Sequence, residues 1–359
     1  MGVFDRRLPD VELRIEEYDP RDLGEVEWKS FFALHEQRRR GLFPRDPLPS
    51  REKRRKYMAS GHPSWDIYWW RAFAPRDARF VALGGCWWES TESPSYEANR
   101  HIGYVDVYVD TGWRCKGVGT AALRAILSQA RAQGKTLIRA ENVEPRTGVP
   151  LCHKLGGKVV AERHFNRLYL ADVDWSLMEQ WRREGATRAS GATIERFEDV
   201  PKRDIEQYCQ LYTEVANQSP AGDLAGEMVV TPQQRRQDED EVRKNGYEWH
   251  TMVSREPDGT LSGLTEMFYA PVEPWQLEQE LTGVGEAYRG RGLGKWLKAE
   301  MLRFIVDRYP EAVFVNTGNA DQNAPMVSIN ERMGFREILA QPFYEFDINQ
   351  LADSLDLLP

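Results

Sequence analysis

Two stretches of the chain run through the same succession of apolar and polar positions. In the first, "HIGYVDVYV" alternates as a half-buried strand does, a glycine-rich turn follows, and Leu123, Ile126, Leu127 and Ala130 recur at the i, i+3, i+4, i+7 spacing of an amphipathic helix. In the second, "LEQELTGV" alternates and Leu293, Trp296, Leu297 and Met301 form the stripe. Short apolar runs at 136–140 and 312–316 then predict a further strand in each copy, and both copies end on a Leu/Met-Gly pair, in "HKLGGKVV" and "NERMGFREI". Pairing Arg114 with Arg289, Gly117 with Gly292 and Gly119 with Gly294 gives one offset of 175, which grows to 178 between Gly156 and Gly334. This is an internal repeat. The openings match too: "VELRIEEYDPRDLGEVEWKSFFALHEQ" and "TIERFEDVPKRDIEQYCQLY" each read as strand, turn, amphipathic helix.

A chain of 359 residues exceeds one ordinary core and suits two. The stretch "RREGATRASGATI" lacks apolar periodicity and has the composition of a connector. We therefore expect domains at 1–185 and 192–359 joined by a linker at 186–191. Strands alternating with helices predict an α/β (α+β) protein.

Composition narrows the chemistry. Net charge of −8 argues against a chain built to neutralise nucleic-acid phosphates, although "EQRRRG" and "REKRRKYM" are locally basic. Such runs are usually solvated helix faces. Cys86, Cys115, Cys152 and Cys209 lie far apart, as packing thiols do, and neither they nor the six histidines suggest a metal site. The sequence has no apolar run of membrane-spanning length and no secretory signal pattern, so a cytoplasmic location is expected. The acidic residues Asp238 to Glu241, Glu273, Glu278 and Glu280 would suit a cationic ligand, but also have the look of a solvated surface. Of Trp69/Trp70 and Trp87/Trp88, strand alternation should bury one member each.

The repeated turn carries the main signal. A strand that passes through Arg-x-x-Gly-x-Gly into a helix exposes main-chain N–H groups at the positive end of the helix dipole, and glycines let an anion approach them. Pyrophosphate fits best. "GVGTAA" (117–122), with Glu141 some way on, also fits a dinucleotide fingerprint, but Gly290, Gly292 and Gly294 do not repeat that spacing.

The shared R-x-x-G-x-G, with the segment carrying Asn323, Met326, Asn330, Met333, Gly334 and Phe335, resembles the GCN5-related N-acetyltransferases (GNATs). Two copies resemble the tandem members. The resemblance is stronger from Gly283 to Phe335 and weaker from Ile102 to Gly157. It implies two tandem GNAT-like domains, each a mixed, splayed central sheet flanked by helices. It also implies acetyl-CoA as co-substrate, gripped by Arg289, Gly290, Arg291, Gly292, Leu293, Gly294 and Lys295 in one domain. Arg114, Cys115, Lys116, Gly117, Val118, Gly119 and Thr120 are the counterparts in the other. The Val284 N–H would meet the thioester oxygen, and Asn323 would lie near the cofactor.

The implied activity is N-acetyl transfer to a primary amine of a small molecule by direct attack. Glu280 is the candidate base, since simple alternation would put it on the face of Thr282 and Val284. Many members carry a tyrosine four residues before the late glycine. Here Asn330 and Cys152 stand there, which leaves Tyr344 as a substitute acid or a packing residue. "CHKLGG" departs further from the pattern than "NERMGF", which favours the second domain as catalyst. The alternatives are a tandem protein that senses acyl-CoA without turnover, an acyltransferase that uses aminoacyl-tRNA, and, more distantly, a nicotinamide oxidoreductase.

Overall fold

A computed structural model describes residues 4–8, 11–74, 79–141, 143–218, 228–320 and 324–357. The chain divides into two compact units, Met1–Glu162 with Gln341–Pro359, and Arg163–Ala340.

The first unit opens with β1 (Phe4–Leu8), β2 (Val11–Tyr18), α1 (Glu25–Leu42) and α2 (Arg51–Ser60). It continues with β3 (Trp65–Ala74), β4 (Arg79–Glu89), α3 (Tyr96–Asn99), β5 (Ile102–Val109), α4 (Val118–Ala132), β6 (Leu137–Ala140) and α5 (Gly148–Lys154). Strands β1 to β5 pair antiparallel in sequence order, and β6 joins β5 in parallel. The alternating side chains of β3 and β4 feed two cores, so Trp70 and Trp88 are buried while Trp69 and Trp87 are partly exposed. One core gathers Trp28, Phe31, Phe32 and Met58 of α1 and α2. The other gathers Ile126, Leu127 and Ala130 of α4 with Val105 and Ile138.

The second unit repeats the plan with β8 (Thr193–Phe197), α7 (Ile205–Asn217), α8 (Pro232–Lys244), β9 (Glu248–Arg255) and β10 (Leu261–Tyr269). Then come β11 (Gln276–Val284), α9 (Leu293–Arg308), β12 (Phe314–Ala320) and α10 (Ala324–Met333). Here α7 packs its Tyr208, Leu211 and Val215 on one face of the sheet, and Leu297, Met301 and Ile305 of α9 cover the other.

Each sheet is closed by a strand from the other half of the sequence. Strand β7 (Lys158–Tyr169) sends Arg163–Tyr169 antiparallel along β12. Strand β13 (Arg336–Asp347) pairs Tyr344–Asp347 with β6, and α11 (Ile348–Asp356) buries Ile348, Leu351 and Leu355 against the first unit's core.

The expected linker is corrected. Residues 186–188 are the last turn of α6 (Trp175–Arg188), which belongs to the second unit and packs on α9. Its contacts are made by Trp181 and by small residues: a Cβ on Gly185 would lie 2.4 Å from Cβ of Trp296. Glycine and alanine contacts carry no apolar periodicity, so the helix reads as a connector.

Candidate functional site

In the second unit the parallel pairing of β11 with β12 ends at Gln279 and Thr317. Past that point Gly318–Ala320 pair with β7, Thr282–Val284 pair with β10, and the two strands part. The N–H of Gly285 donates to the Ser262 carbonyl at 2.9 Å. Val284 and Gly263 are therefore a non-hydrogen-bonded pair of the antiparallel ladder, and the Val284 N–H is directed away from β10, into the gap. The first unit repeats this: β5 leaves β6 after Val105 and Ala140, Asp110 N–H donates to Val81 at 2.9 Å, and the Val109 N–H faces the gap.

A β-bulge marks the parting in the second unit only. Thr282 stands opposite Thr265 and Gln279 opposite Met267, leaving Glu280 and Leu281 against the single residue Glu266. The Gln279 amide donates to Thr265 Oγ1 at 2.9 Å and to Thr282 Oγ1 at 3.3 Å, so residues 279 and 282 share a face. The expected alternation is thereby corrected: the extra residue turns Glu280 and Leu281 to the α7 side, where Leu281 packs beside Tyr208 and Leu211.

Glu280 is reached by solvent, yet protein surrounds its carboxyl. That desolvation, with the charges of Glu278 and Glu266 and against the opposing pull of Arg163, pushes it up to about 7. Among the described residues it has no hydrogen bond or ion pair. Glu266, by contrast, is locked: Arg235 Nη1 donates to it at 2.7 Å, Thr251 at 3.2 Å, and the Tyr208 hydroxyl also donates. Arg235 in turn holds Glu239 at 3.0 Å and lies 3.5 Å from the Trp249 ring centroid. The acidic run thus contributes Glu239 to a buried network, and Glu273 is buried too, rather than forming a solvated surface throughout.

At the same point of the first unit stands Asp106, the first residue past the last β5/β6 pair. Arg38 of α1 clamps it through two bonds of 2.5 and 2.9 Å. Both of its oxygens are thus engaged by the guanidinium, as in a two-pronged arginine–carboxylate pair.

The glycine loops are alike in backbone. Gly117 and Gly292, each the residue before a helix, have φ of 73° and 83°. The first backbone bonds of these helices are Ala121 N–H to Gly117 and Trp296 N–H to Gly292, so the preceding amides have no acceptor within the helix. Gly294 and Gly119 let each helix lie against its strand: a Cβ would come to 3.7 Å from Val284 and 3.3 Å from Val109 respectively. Gly290 has a φ of 79°, and Cys115 takes its place in the first unit at 56°. Cys115 is exposed, which corrects its reading as a packing thiol, while Cys86, Cys152 and Cys209 are buried.

Side chains distinguish the loops. Arg289 is exposed, whereas Arg291 is held in a two-pronged ion pair by Glu256 at 2.9 and 3.0 Å. The Leu293 side chain is in the core, and Lys295 lies 5.6 Å from the Trp181 ring. In the first unit Arg114 folds back, donating to the Val109 carbonyl at 3.2 Å with Glu144 at 3.8 Å, and Lys116 caps the Gly112 carbonyl at 2.9 Å. Val118 is buried and Thr120 half-buried.

Tyr344 and Asn330 are both buried. Tyr344 belongs to the first unit, fully buried, its hydroxyl 3.1 Å from His153 Nε2, and it packs that unit's core. Asn330 is buried on α10. Asn323 lies outside the described residues. Sequence reasoning missed Asp106, Arg38 and the bulge; the bulge lies before the glycine loop, where the two copies were not compared residue by residue.

Residues 21–156 match the acetyltransferase (GNAT) family. Over 94% of this chain and 99% of the other, the fold superposes with a TM-score of 0.74 and 20% identity on a tandem GNAT protein from the clavulanic acid biosynthesis pathway. The chain has the tandem GNAT fold. A GCN5-related N-acetyltransferase from Sphaerobacter thermophilus is similar over 95% of this chain and 97% of that one, with a TM-score of 0.64 and 16% identity. No curated protein sequence matches the chain. The family match falls on the first half, although the motif resemblance is fuller in the second. The GNAT fold supports acyl transfer in general. Among the described residues no cluster suited to a metal ion is found, and no helix is long and apolar enough to cross a membrane.

Proposed function

We propose that the second unit is an acyl-CoA-dependent N-acyltransferase that moves an acetyl group to the primary amine of a small molecule. The observation that carries this is Glu280: among the described residues it has no ion pair, it is raised to about 7, and it is set where β11 and β12 separate. Its counterpart Asp106 is neutralised by Arg38.

Acetyl-CoA would supply a thioester as the acyl donor. The main-chain amides of residues 290–295 suit its pyrophosphate, the open φ > 0 glycines allow close approach, and exposed Arg289 adds charge. The Val284 N–H suits the thioester oxygen, where one such donor is worth roughly 3 to 4 kcal/mol. The amine arrives from the α7 side, and Glu280 takes its proton directly or through water before attack. Holding amine and thioester together supplies much of the remaining acceleration, up to about 7 to 11 kcal/mol. The first unit is then a binding or scaffold copy, and the acidic surroundings of Glu280 favour a cationic acceptor.

Thiol release from acetyl-CoA with a panel of primary amines tests the reading. Gly292→Glu adds strain at φ 83° and a charge where phosphate should sit, so turnover should vanish while the fold, checked by circular dichroism, persists. Undiminished turnover in that variant would remove the second loop from the reaction.

A further inference from the structure

The basic runs on α1 and α2 are not absorbed by acyl transfer, and four of their arginines are held by carboxylates. Arg38 is paired with Asp106 at 2.5 Å, Arg39 with Asp46 at 3.2 Å, Arg51 with Glu36 at 2.7 Å and Arg55 with Glu25 at 2.7 Å. Arg40 is exposed to water. Arg54 is different. Its Nε is buried with no hydrogen-bond partner, and among the described residues its guanidinium makes no ion pair.

The surroundings of Arg54 are aromatic and cationic. Its guanidinium carbon lies 5.4 Å from the Tyr57 ring and 5.9 Å from the Trp69 ring. Burial holds its pKa below the usual arginine range, against the pull of Tyr57, Tyr18 and the more distant charge of Asp106, and Arg38 adds repulsion. The same field is felt by His35 on α1, pushed down to about 3 by burial and then by Arg54, Arg38 and Arg39. Enclosing a cation without a paired carboxylate costs free energy that the neighbouring rings offset only in part. Tyr57 is half exposed and Arg54 partly so, which leaves the group within reach of a solute. A planar fork of donors between aromatic walls is suited to a carboxylate or phosphate.

We propose that Arg54, with the rings of Tyr57 and Trp69 and with Arg38 beside it, forms a binding site on the first unit for a small molecule bearing a carboxylate or phosphate. The site is on the α1/α2 face of its sheet, the face that carries Asp106. The corresponding face of the second unit carries Glu280 and its acidic neighbours. The two copies therefore select ligands of opposite charge. Because Arg38, Arg39, Arg51 and Arg55 are each matched by a carboxylate, much of the charge that a nucleic-acid backbone would need is already neutralised, and a small anion is the occupant that fits Arg54.

Titration calorimetry in a low-salt zwitterionic buffer, with inorganic phosphate and with succinate as separate probes, tests this on the full chain. One probe or both should bind the wild type one to one and raise its melting temperature; which one does so distinguishes phosphate from carboxylate. Arg54→Met should weaken that binding about ten- to a hundredfold, the worth of a charged hydrogen bond, and abolish the thermal shift. Arg54→Lys should retain part of both. Without any probe, Arg54→Met should melt at or above the wild-type temperature, since an uncompensated charge has been removed, whereas a purely structural arginine would leave it less stable. The proposal is overturned if neither probe binds, if Arg54→Met binds as the wild type does, or if that variant melts lower in probe-free buffer. Tight binding of a single-stranded RNA oligonucleotide with a steep salt dependence would overturn the small-ligand assignment.

Discussion

If Glu280 is the base, the pH dependence of turnover must follow its raised pKa. With a value of about 7, about one carboxyl in eleven is ionised at pH 6 and about ten in eleven at pH 8, so this group alone contributes a tenfold rise across that interval. An ordinary carboxyl at 4.5 is almost fully ionised at both ends and contributes nothing. The amine substrate also titrates, and a comparison of variants removes its share. Glu278→Gln deletes the nearest like charge, so the inflection should move to lower pH while the amine's own limb stays where it was. Glu280→Gln should remove the inflection altogether and reduce kcat by about 10²- to 10⁴-fold, the usual worth of a general base, with acetyl-CoA affinity unchanged. The assay is initial-rate thiol release from pH 5.5 to 9 for the three proteins. An inflection that stays in place in Glu278→Gln, or survives in Glu280→Gln, would assign the titration to another group and refute the mechanism.

Three further outcomes bear on the scaffold. Arg235→Ala leaves Glu239 and Glu266 buried without their shared cation, and urea denaturation should show a loss of about 3 to 5 kcal/mol. Gly185→Ala drives a methyl group to 2.4 Å from Trp296 and should cost about 1 to 3 kcal/mol in the same measurement; no loss would mean that α6 does not rest on α9. Lys298 is buried on α9 beside Phe335, and desolvation pushes its pKa down to about 7. The unfolded chain then binds more protons than the folded one between about pH 7 and 10, so stability should rise with pH in that window. Melting temperatures from pH 7 to 9 should climb in the wild type and climb less in Lys298→Met.

The repeat, the strands flanking each glycine loop and the helical stripes were legible because they are local: alternation, the i, i+4 spacing and glycine placement are written in consecutive residues. The charge on the Glu280 side was not. Its raised pKa depends first on desolvation, then on the charges of Glu278 and Glu266, and a single extra residue in β11 turns it away from the face simple alternation assigns. The contrast with Asp106 was equally hidden, since Arg38 lies 68 positions away in the chain. Boundaries failed for a related reason. Strands β7 and β13 look alike in sequence, and nothing local says which sheet each completes. The basic runs were visible as charge, but only their partners separate Arg54 from the arginines around it.

That crossed arrangement of closing strands constrains synthesis. The first sheet is open beside β6 until Tyr344–Asp347 have left the ribosome, 185 residues after Glu162. At ordinary elongation rates this is on the order of 10 to 40 s during which the edge of β6 lacks its final neighbour. A nascent first unit therefore has to endure with an unprotected strand edge, and chaperone demand should peak in that interval rather than after release.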